Sequence, residues 1–184
     1  IYISLLSLGI LILTWYKKWN ELSPIGLILT YSSFILWSSH NPNNYIASLI
    51  FLTTYFILYT VQILTNNSQP NILRLCINVL NSILFYVLTL NVLEINKFEY
   101  DGIFSFSLAL LYLIFFIITK KENESLSNTN FMLGVSYLVL SIFLEVSSNY
   151  IVLALSLLMT ILLFIGLKES SLYIRISSYA VGLI

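Results

Sequence analysis

Eight apolar runs, each separated from the next by a short polar break, dominate this sequence. A helix needs about 20 apolar residues to cross the roughly 30 Å hydrocarbon core of a bilayer. Backbone groups in lipid must bond within their own segment, and the runs are continuously apolar rather than alternating, so we expect helices and not strands. The sequence therefore predicts an all-α polytopic transmembrane helix bundle of about eight spans. The runs cover residues 1–16, 25–39, 45–65, 72–93, 103–119, 131–144, 150–167 and 172–184.

The composition points to hydrocarbon, not water, as the solvent of this chain. Charged residues make up 9% of the 184 residues and hydrophobic residues 59%, whereas soluble domains carry about 25% charged residues. A soluble enzyme or binding domain is therefore excluded. Eight basic residues balance eight acidic ones, so no excess charge indicates binding to nucleic acid.

The first and last runs are cut short by the ends of the sequence. We therefore expect residues 1–184 to be a single transmembrane domain excised from a longer chain. The expected partners are the lipid bilayer and the other spans of that parent chain, and the sequence indicates no soluble partner.

Basic residues concentrate on one side of the predicted topology. When successive breaks are assigned to alternate sides, the second side receives a single basic residue, Lys97, and is otherwise acidic. Cytoplasmic loops of membrane proteins carry the excess of Lys and Arg. We therefore predict a multi-pass membrane protein with its basic breaks in the cytoplasm. The basic side carries Lys17, Lys18, Arg74, Lys120, Lys121, Lys168 and Arg175.

The spacing of the basic residues predicts an internal repeat. Lys120 follows Lys17 by 103 residues, and Arg175 follows Arg74 by 101 residues. Two tandem four-helix units, residues 1–93 and 103–184, would give this spacing, and an even number of spans would orient both units in parallel. The alternative is that any chain with an even number of spans and basic cytoplasmic loops shows such spacing.

One predicted span carries a polar face. Arg74, Asn78 and Asn81 stand at positions i, i+4 and i+7 of the fourth run, which is one face of a helix. They either line a path for an anion or another substrate, or Arg74 reaches the inner headgroups while the two Asn side chains bond neighbouring helices. Arg175 is a weaker counterpart in the last run, and Cys76 is expected to be a buried apolar filler.

The outer breaks hold the remaining candidate residues, Glu94, Asp101 and Glu145. Two of these carboxylates would act as an acid and a base only if the fold brought them together on a groove. The single His40 and the scattered carboxylates lack the spacing of a metal site. No catalytic motif and no phosphate-binding loop is present, so the sequence predicts no catalytic residue, no metal and no cofactor.

Several apolar motifs follow an order seen in a known family. A span ends in SIFLEV at residues 141–146, the next span ends at residues 164–166, and a helix with an Arg at its start follows at residues 173–175. Residues 78–88 form an aromatic span that contains Asn81. From residue 131 onward the chain resembles the C-terminal part of an uncharacterised bacterial family of many-span membrane proteins, the domain of unknown function 2339.

The resemblance implies a bacterial inner-membrane location and supplies no established activity. Residues 153–156 read LALS, where the family has a Trp-Ala-Leu-Glu stretch, so no role for that Glu carries over. We therefore expect a non-enzymatic integral membrane module with a transport-related or scaffold role in the envelope. The alternative is a membrane-embedded enzyme that acts on lipid-linked substrates at the outer face.

Overall fold

The fold is helical throughout the part of the chain that the structure describes. A computed structural model describes residue 9 and residues 22–41, 44–65, 70–95, 100–168 and 172–183. Within these ranges there are seven α-helices and no strand. The helices are α1 (Leu22–His40), α2 (Tyr45–Thr65), α3 (Asn71–Ile95), α4 (Asp101–Thr119), α5 (Glu124–Glu145), α6 (Ser148–Lys168) and α7 (Leu172–Leu183).

Six of these helices are long and apolar enough to cross a membrane. Helices α1 to α6 contain 19 to 25 residues each and meet both criteria. Helix α7 has 12 residues, about 18 Å, which is shorter than the hydrocarbon core. The predicted run 1–16 and the basic pair that follows it lie outside the described residues. The prediction of an all-helical, multi-pass membrane protein is confirmed.

The helix starts follow local chemistry rather than hydropathy alone. Pro24 lies in the first turn of α1 and Pro70 directly precedes α3, where the missing proline N–H would have no helical partner anyway. Helix α5 begins at Glu124, seven residues before the apolar run at 131–144 and four residues before the polar first turn at 128–130 that this run can take from the preceding break. Its first turns are polar, but their side chains find partners on α4, as described below.

The helices form two compact units, Ile1–Glu99 and Tyr100–Ile184. In the first unit α2 packs along α3, and α1 contacts both helices. In the second unit α4 pairs with α5 and α6 pairs with α7, while α5 also contacts α6 and α7. The division falls inside the polar break at residues 94–102 that the sequence places between two repeats.

Many large apolar side chains are exposed, while several small polar ones are buried. On α6, Val152 and Phe164 are 77% and 67% exposed, whereas Ser82, Ser105 and Ser178 are fully buried within their units. Soluble proteins rarely expose large continuous apolar surfaces. Hydrocarbon around the helices accounts for this arrangement, because apolar side chains lose nothing by facing lipid and polar ones must find partners inside.

The prediction that Cys76 is buried was wrong, because its side chain is exposed. Arg74 and Asn78 point into the first unit. Cys76 lies two residues from each, about 200° around the helix, and therefore faces outward.

Candidate functional site

The polar face of α3 lies inside the first unit. Arg74 is 4% exposed, Asn78 is 3% exposed and Asn81 is fully buried. The 3.6-residue period of the helix brings all three to one side, and α1 and α2 cover that side. We call these three residues the polar seam.

Asn81 connects the three helices of the first unit. Its Oδ1 accepts a hydrogen bond of 2.8 Å from the Tyr31 hydroxyl on α1. Its Nδ2 donates to two groups of α2, the carbonyl oxygen of Phe56 at 3.3 Å and the hydroxyl of Thr60 at 3.4 Å. The amide therefore bonds both neighbouring helices at once.

Arg74 contacts the last turns of α2. Its Nε and Nη2 both donate to the carbonyl oxygen of Ile63, at 3.1 Å and 2.6 Å. Carbonyl groups in the last turn of a helix have no partner within that helix, so a guanidinium at this position satisfies one of them. The C-terminal end of α2 carries a partial negative charge, which also attracts the guanidinium.

Further polar contacts, which the sequence pattern does not predict, join α1 to α2. The Ser23 hydroxyl donates to Gln62 Oε1 at 3.1 Å, and the hydroxyls of Thr30 and Tyr59 share a hydrogen bond of 3.3 Å. Gln62 is buried. Isolated Ser, Thr and Tyr residues in apolar runs give no signal of their partners, because that depends on which helices become neighbours.

Arg175 occupies a similar position in the second unit. It lies in the first turn of α7, half-buried, and its Cγ would be 2.9 Å from a Cβ built on Gly166 of α6. Ser178, one turn later, donates to the carbonyl oxygen of Met159 at 3.2 Å. The Arg175 contact again joins the start of one helix to the end of the preceding one, and the Ser178 bond joins the middle parts of the same two helices.

Glu145, which we predict to lie on the outer side, contacts the first turn of α4 at Gly102, the residue after Asp101. Glu145 extends across Gly102, so that a Cβ built on Gly102 would overlap Glu145 Cγ and lie 2.6 Å from Oε1. Asp101 precedes Gly102, and its Oδ1 is buried with no hydrogen-bond partner among the described residues. A carboxylate over the first turn of α4 also interacts favourably with that helix dipole.

The other candidates that we predict to lie on the outer side, Glu94 and His40, belong to the first unit. Glu94 is exposed near the end of α3 in the first unit. The Nδ1 atom of His40 bonds with the carbonyl oxygen of Leu36 at 2.8 Å. Across the described residues, no group of three or more His, Cys, Asp or Glu side chains could hold a metal ion.

Small and polar residues also join α4 to α5. A Cβ on Gly134 would lie 3.3 Å from the carbonyl oxygen of Ala109, so the two backbones approach closely, as membrane helices do at small residues. Near the turn between the helices, Ser127 donates to the carbonyl oxygen of Phe116 at 3.0 Å. Asn130 donates to the Thr119 hydroxyl at 3.3 Å.

Two cavities open on the surfaces of the units. One of about 520 Å³ lies between α5 and α7, and one of about 370 Å³ lies at the end of α1 near Trp37 and His40. The lining of the larger cavity is almost wholly apolar. Neither of the two is lined by a residue of the polar seam.

When the sequence is compared with known protein families, one family matches it. The family described as "Predicted membrane protein (DUF2339)" matches residues 1–182. No curated protein and no solved structure matches the chain. The family match extends the resemblance, which the motifs carry best from residue 131 onward, to nearly the whole sequence. The chain therefore belongs to the DUF2339 family of predicted membrane proteins.

Proposed function

We propose that this chain is a non-enzymatic scaffold module of the bacterial inner membrane. The observation that carries the proposal is Asn81, which is fully buried and bonds both α1 and α2. Polar side chains in hydrocarbon need partners within the protein, so such a residue selects which helices pair and in which register. In this proposal the polar seam fixes the arrangement of the spans.

Transport is the other role considered for the polar seam. A transport path would need a water-filled cavity along Arg74, Asn78 and Asn81. Arg74 and Asn81 instead bond to backbone and side-chain atoms of α2. These contacts favour a scaffold over a transporter.

Thiol labelling separates these two roles. We would place single cysteines by Asn78→Cys or Asn91→Cys in a Cys76→Ser background and treat membranes with a polar thiol reagent. Asn78 is buried and Asn91 is exposed on the same helix. The scaffold role predicts that only Asn91→Cys reacts before denaturation. Equal reaction rates at both positions would contradict it and support a water-filled path.

A second candidate function is an enzyme that acts on lipid-linked substrates at the outer face. The observation that favours it is that Glu145 lies against Gly102, the residue after Asp101, whose Oδ1 is buried. Two carboxyl groups at one site can act as a general acid and a general base. In this reading one would protonate the leaving group of the substrate and the other would activate water.

Mass spectrometry of lipid-linked intermediates tests whether the protein is such an enzyme. Cells that carry only Glu145→Gln or only Glu122→Gln would be compared with cells that carry the wild type. Glu122 is an exposed glutamate at the other end of the same unit, so it controls for the loss of one charge. If the protein is such an enzyme, an intermediate should accumulate with Glu145→Gln but not with Glu122→Gln. An unchanged lipid profile would remove this candidate.

We also propose that the chain has eight spans, arranged as two tandem parallel repeats. Two pairs of contacts support this. Arg74 contacts Ile63, and Arg175 contacts Gly166, with offsets of 101 and 103 residues between the equivalent positions. The carbonyl of Phe56 accepts from α3, and that of Met159, 103 residues later, accepts from α7.

An experimental structure of the protein in lipid tests the repeat. The repeat predicts that α1–α3 superimpose on α5–α7 with Ile63 over Gly166. A different order of helix pairing in the two units would contradict it.

The proposed orientation, with basic turns in the cytoplasm, rests on the residues at the turns of the second unit, Lys120, Lys121 and Lys168.

A further inference from the structure

A groove runs between α5 and α7 in the second unit and encloses the cavity of about 520 Å³. Its floor consists of three buried valines, Val135, Val139 and Val181. Its rims carry larger side chains that are 38% to 47% exposed, namely Met132, Leu140 and Ile176. The groove is therefore continuous with the lipid-facing surface of the unit.

Two serines are the polar residues among those that line the groove, and neither offers its hydroxyl hydrogen to a ligand. Ser136 donates to the carbonyl oxygen of Met132 at 2.8 Å, and Ser177 donates to that of Tyr173 at 3.0 Å. Apolar cavities do not retain water, and an empty space forfeits the dispersion contacts of the atoms around it. The groove therefore favours an apolar occupant.

The dimensions of the groove suit one hydrocarbon chain and are too small for a helix. From Met132 to Leu140 the groove extends about 12 Å along α5. One leaflet contributes a similar length, roughly 15 Å, to the hydrocarbon core. A helix segment of the same length, about 10 Å in diameter, would occupy about 900 Å³, which exceeds the cavity volume of about 520 Å³.

We propose that the groove between α5 and α7 binds one acyl chain of a membrane phospholipid. The bilayer around the spans supplies such chains directly. A chain in the groove contacts protein on two sides, whereas a chain on the outer face of α6, near the exposed Val152 and Phe164, contacts it on one. Because the groove provides more dispersion contacts, its lipid stays with the protein longer than the surrounding lipids do.

Photo-crosslinking tests where the chain binds. The purified full chain in detergent is incubated with a phosphatidylethanolamine that carries a diazirine in one acyl chain, and the modified peptides are identified by mass spectrometry after irradiation. We expect saturable crosslinks at residues 132–140 and 176–181 that unlabelled phosphatidylethanolamine suppresses. Crosslinks that fall equally on Val152 and Phe164 of α6 would overturn the proposal, because they would show that the groove holds lipid no better than an open helix face.

Two serine variants form a matched pair for measuring lipid retention. Ser136 lines the groove, whereas Ser107 lies on α4 outside it, and each is exposed and donates to the carbonyl oxygen four residues earlier. The ring of Ser136→Phe fills the groove, and the resulting overpacking should weaken lipid retention about tenfold or more. Ser107→Phe adds the same ring to the lipid-facing surface and should retain lipid as the wild type does.

Native mass spectrometry after detergent exchange counts the phospholipids that each variant retains. The expected result is one retained phospholipid per chain for the wild type and Ser107→Phe, and a strongly reduced fraction for Ser136→Phe. The melting temperature in detergent checks that each variant folds, and if Ser136→Phe does not fold, the crosslinks of the wild type decide. Equal retention in all three proteins, or no lipid on the wild type, would overturn the proposal. A dimer that Ser136→Phe prevents would also overturn it and assign the groove to a second copy of the chain.

Discussion

At the residue scale, individual polar side chains decide which helices of the first unit touch. Asn81 accepts from Tyr31 and donates to Phe56 and Thr60. Hydrogen bonds between membrane helices average about 0.6 kcal/mol. Leaving a buried polar partner unsatisfied costs about 1–3 kcal/mol. The second effect dominates when Asn81 alone is truncated, because the Tyr31 hydroxyl loses this bond and stays buried.

We therefore expect Asn81→Ala to lower the free energy of unfolding by about 1–3 kcal/mol. Unfolding in mixed detergent micelles, followed by circular dichroism, measures the change. The control is Asn91→Ala, the same substitution at an exposed position of the same helix, and it should change stability by less than about 0.5 kcal/mol. Equal losses for the two variants would show that the contacts of Asn81 do not stabilise the unit.

The sequence predicted the polar seam but not its partners. Helical periodicity alone places Arg74, Asn78 and Asn81 on one face, and the structure buries that face. The partner Tyr31 lies 50 residues from Asn81 along the chain, and no local pattern links the two. The same rotation argument, applied to Cys76, would have placed it outside, and its apolar character misled the prediction.

At the element scale, the start of α5 shows why hydropathy misplaces helix ends. The segment before residue 131 is polar, so hydropathy assigns most of it to a break between spans. The Asn123 side chain accepts from the backbone N–H of Leu126 at 3.0 Å and caps the helix. Ser127 and Asn130 then bury their polar groups against α4. Hydrogen-bond partners on a neighbouring helix remove the free-energy cost of burying these polar residues. A hydropathy average does not include such partners.

Loss of the cap should expose the first turn of α5. Asn123→Ala removes the acceptor, which typically costs about 0.5–2 kcal/mol, whereas Asn123→Asp keeps an acceptor oxygen. Hydrogen exchange of the amides at residues 124–127 should speed up several-fold in the alanine variant alone. Unchanged exchange in Asn123→Ala would mean that contacts with α4, not the cap, fix the start of the helix.

The close approach of α4 and α5 depends on Gly134. A leucine there would press on the Ala109 carbonyl and on Leu113, and overpacking of this kind costs about 1–3 kcal/mol or more. We expect Gly134→Leu to lower the melting temperature in detergent. Ser136→Leu adds a similar volume at an exposed position two residues away and should be tolerated. A destabilisation no larger than that of Ser136→Leu would contradict tight packing at Gly134.

At the scale of the whole molecule, the solvent determines the architecture. The long apolar runs predicted a helical membrane protein, and α1 to α6 have the length and composition of membrane spans. The number of spans is harder to predict, because hydropathy does not give the length of a helix such as α7, which has 12 residues. Eight spans and a tandem repeat remain predictions.

The central claim is that successive helices cross a membrane, so that successive turns lie on opposite sides. Single cysteines at Lys121 and Ser147, in a Cys76→Ser background, mark the turns at the two ends of α5. A membrane-impermeant maleimide is added to intact spheroplasts and then to inverted vesicles. We predict that Ser147→Cys labels only in spheroplasts and Lys121→Cys only in inverted vesicles. Labelling of both turns from the same side would contradict the claim.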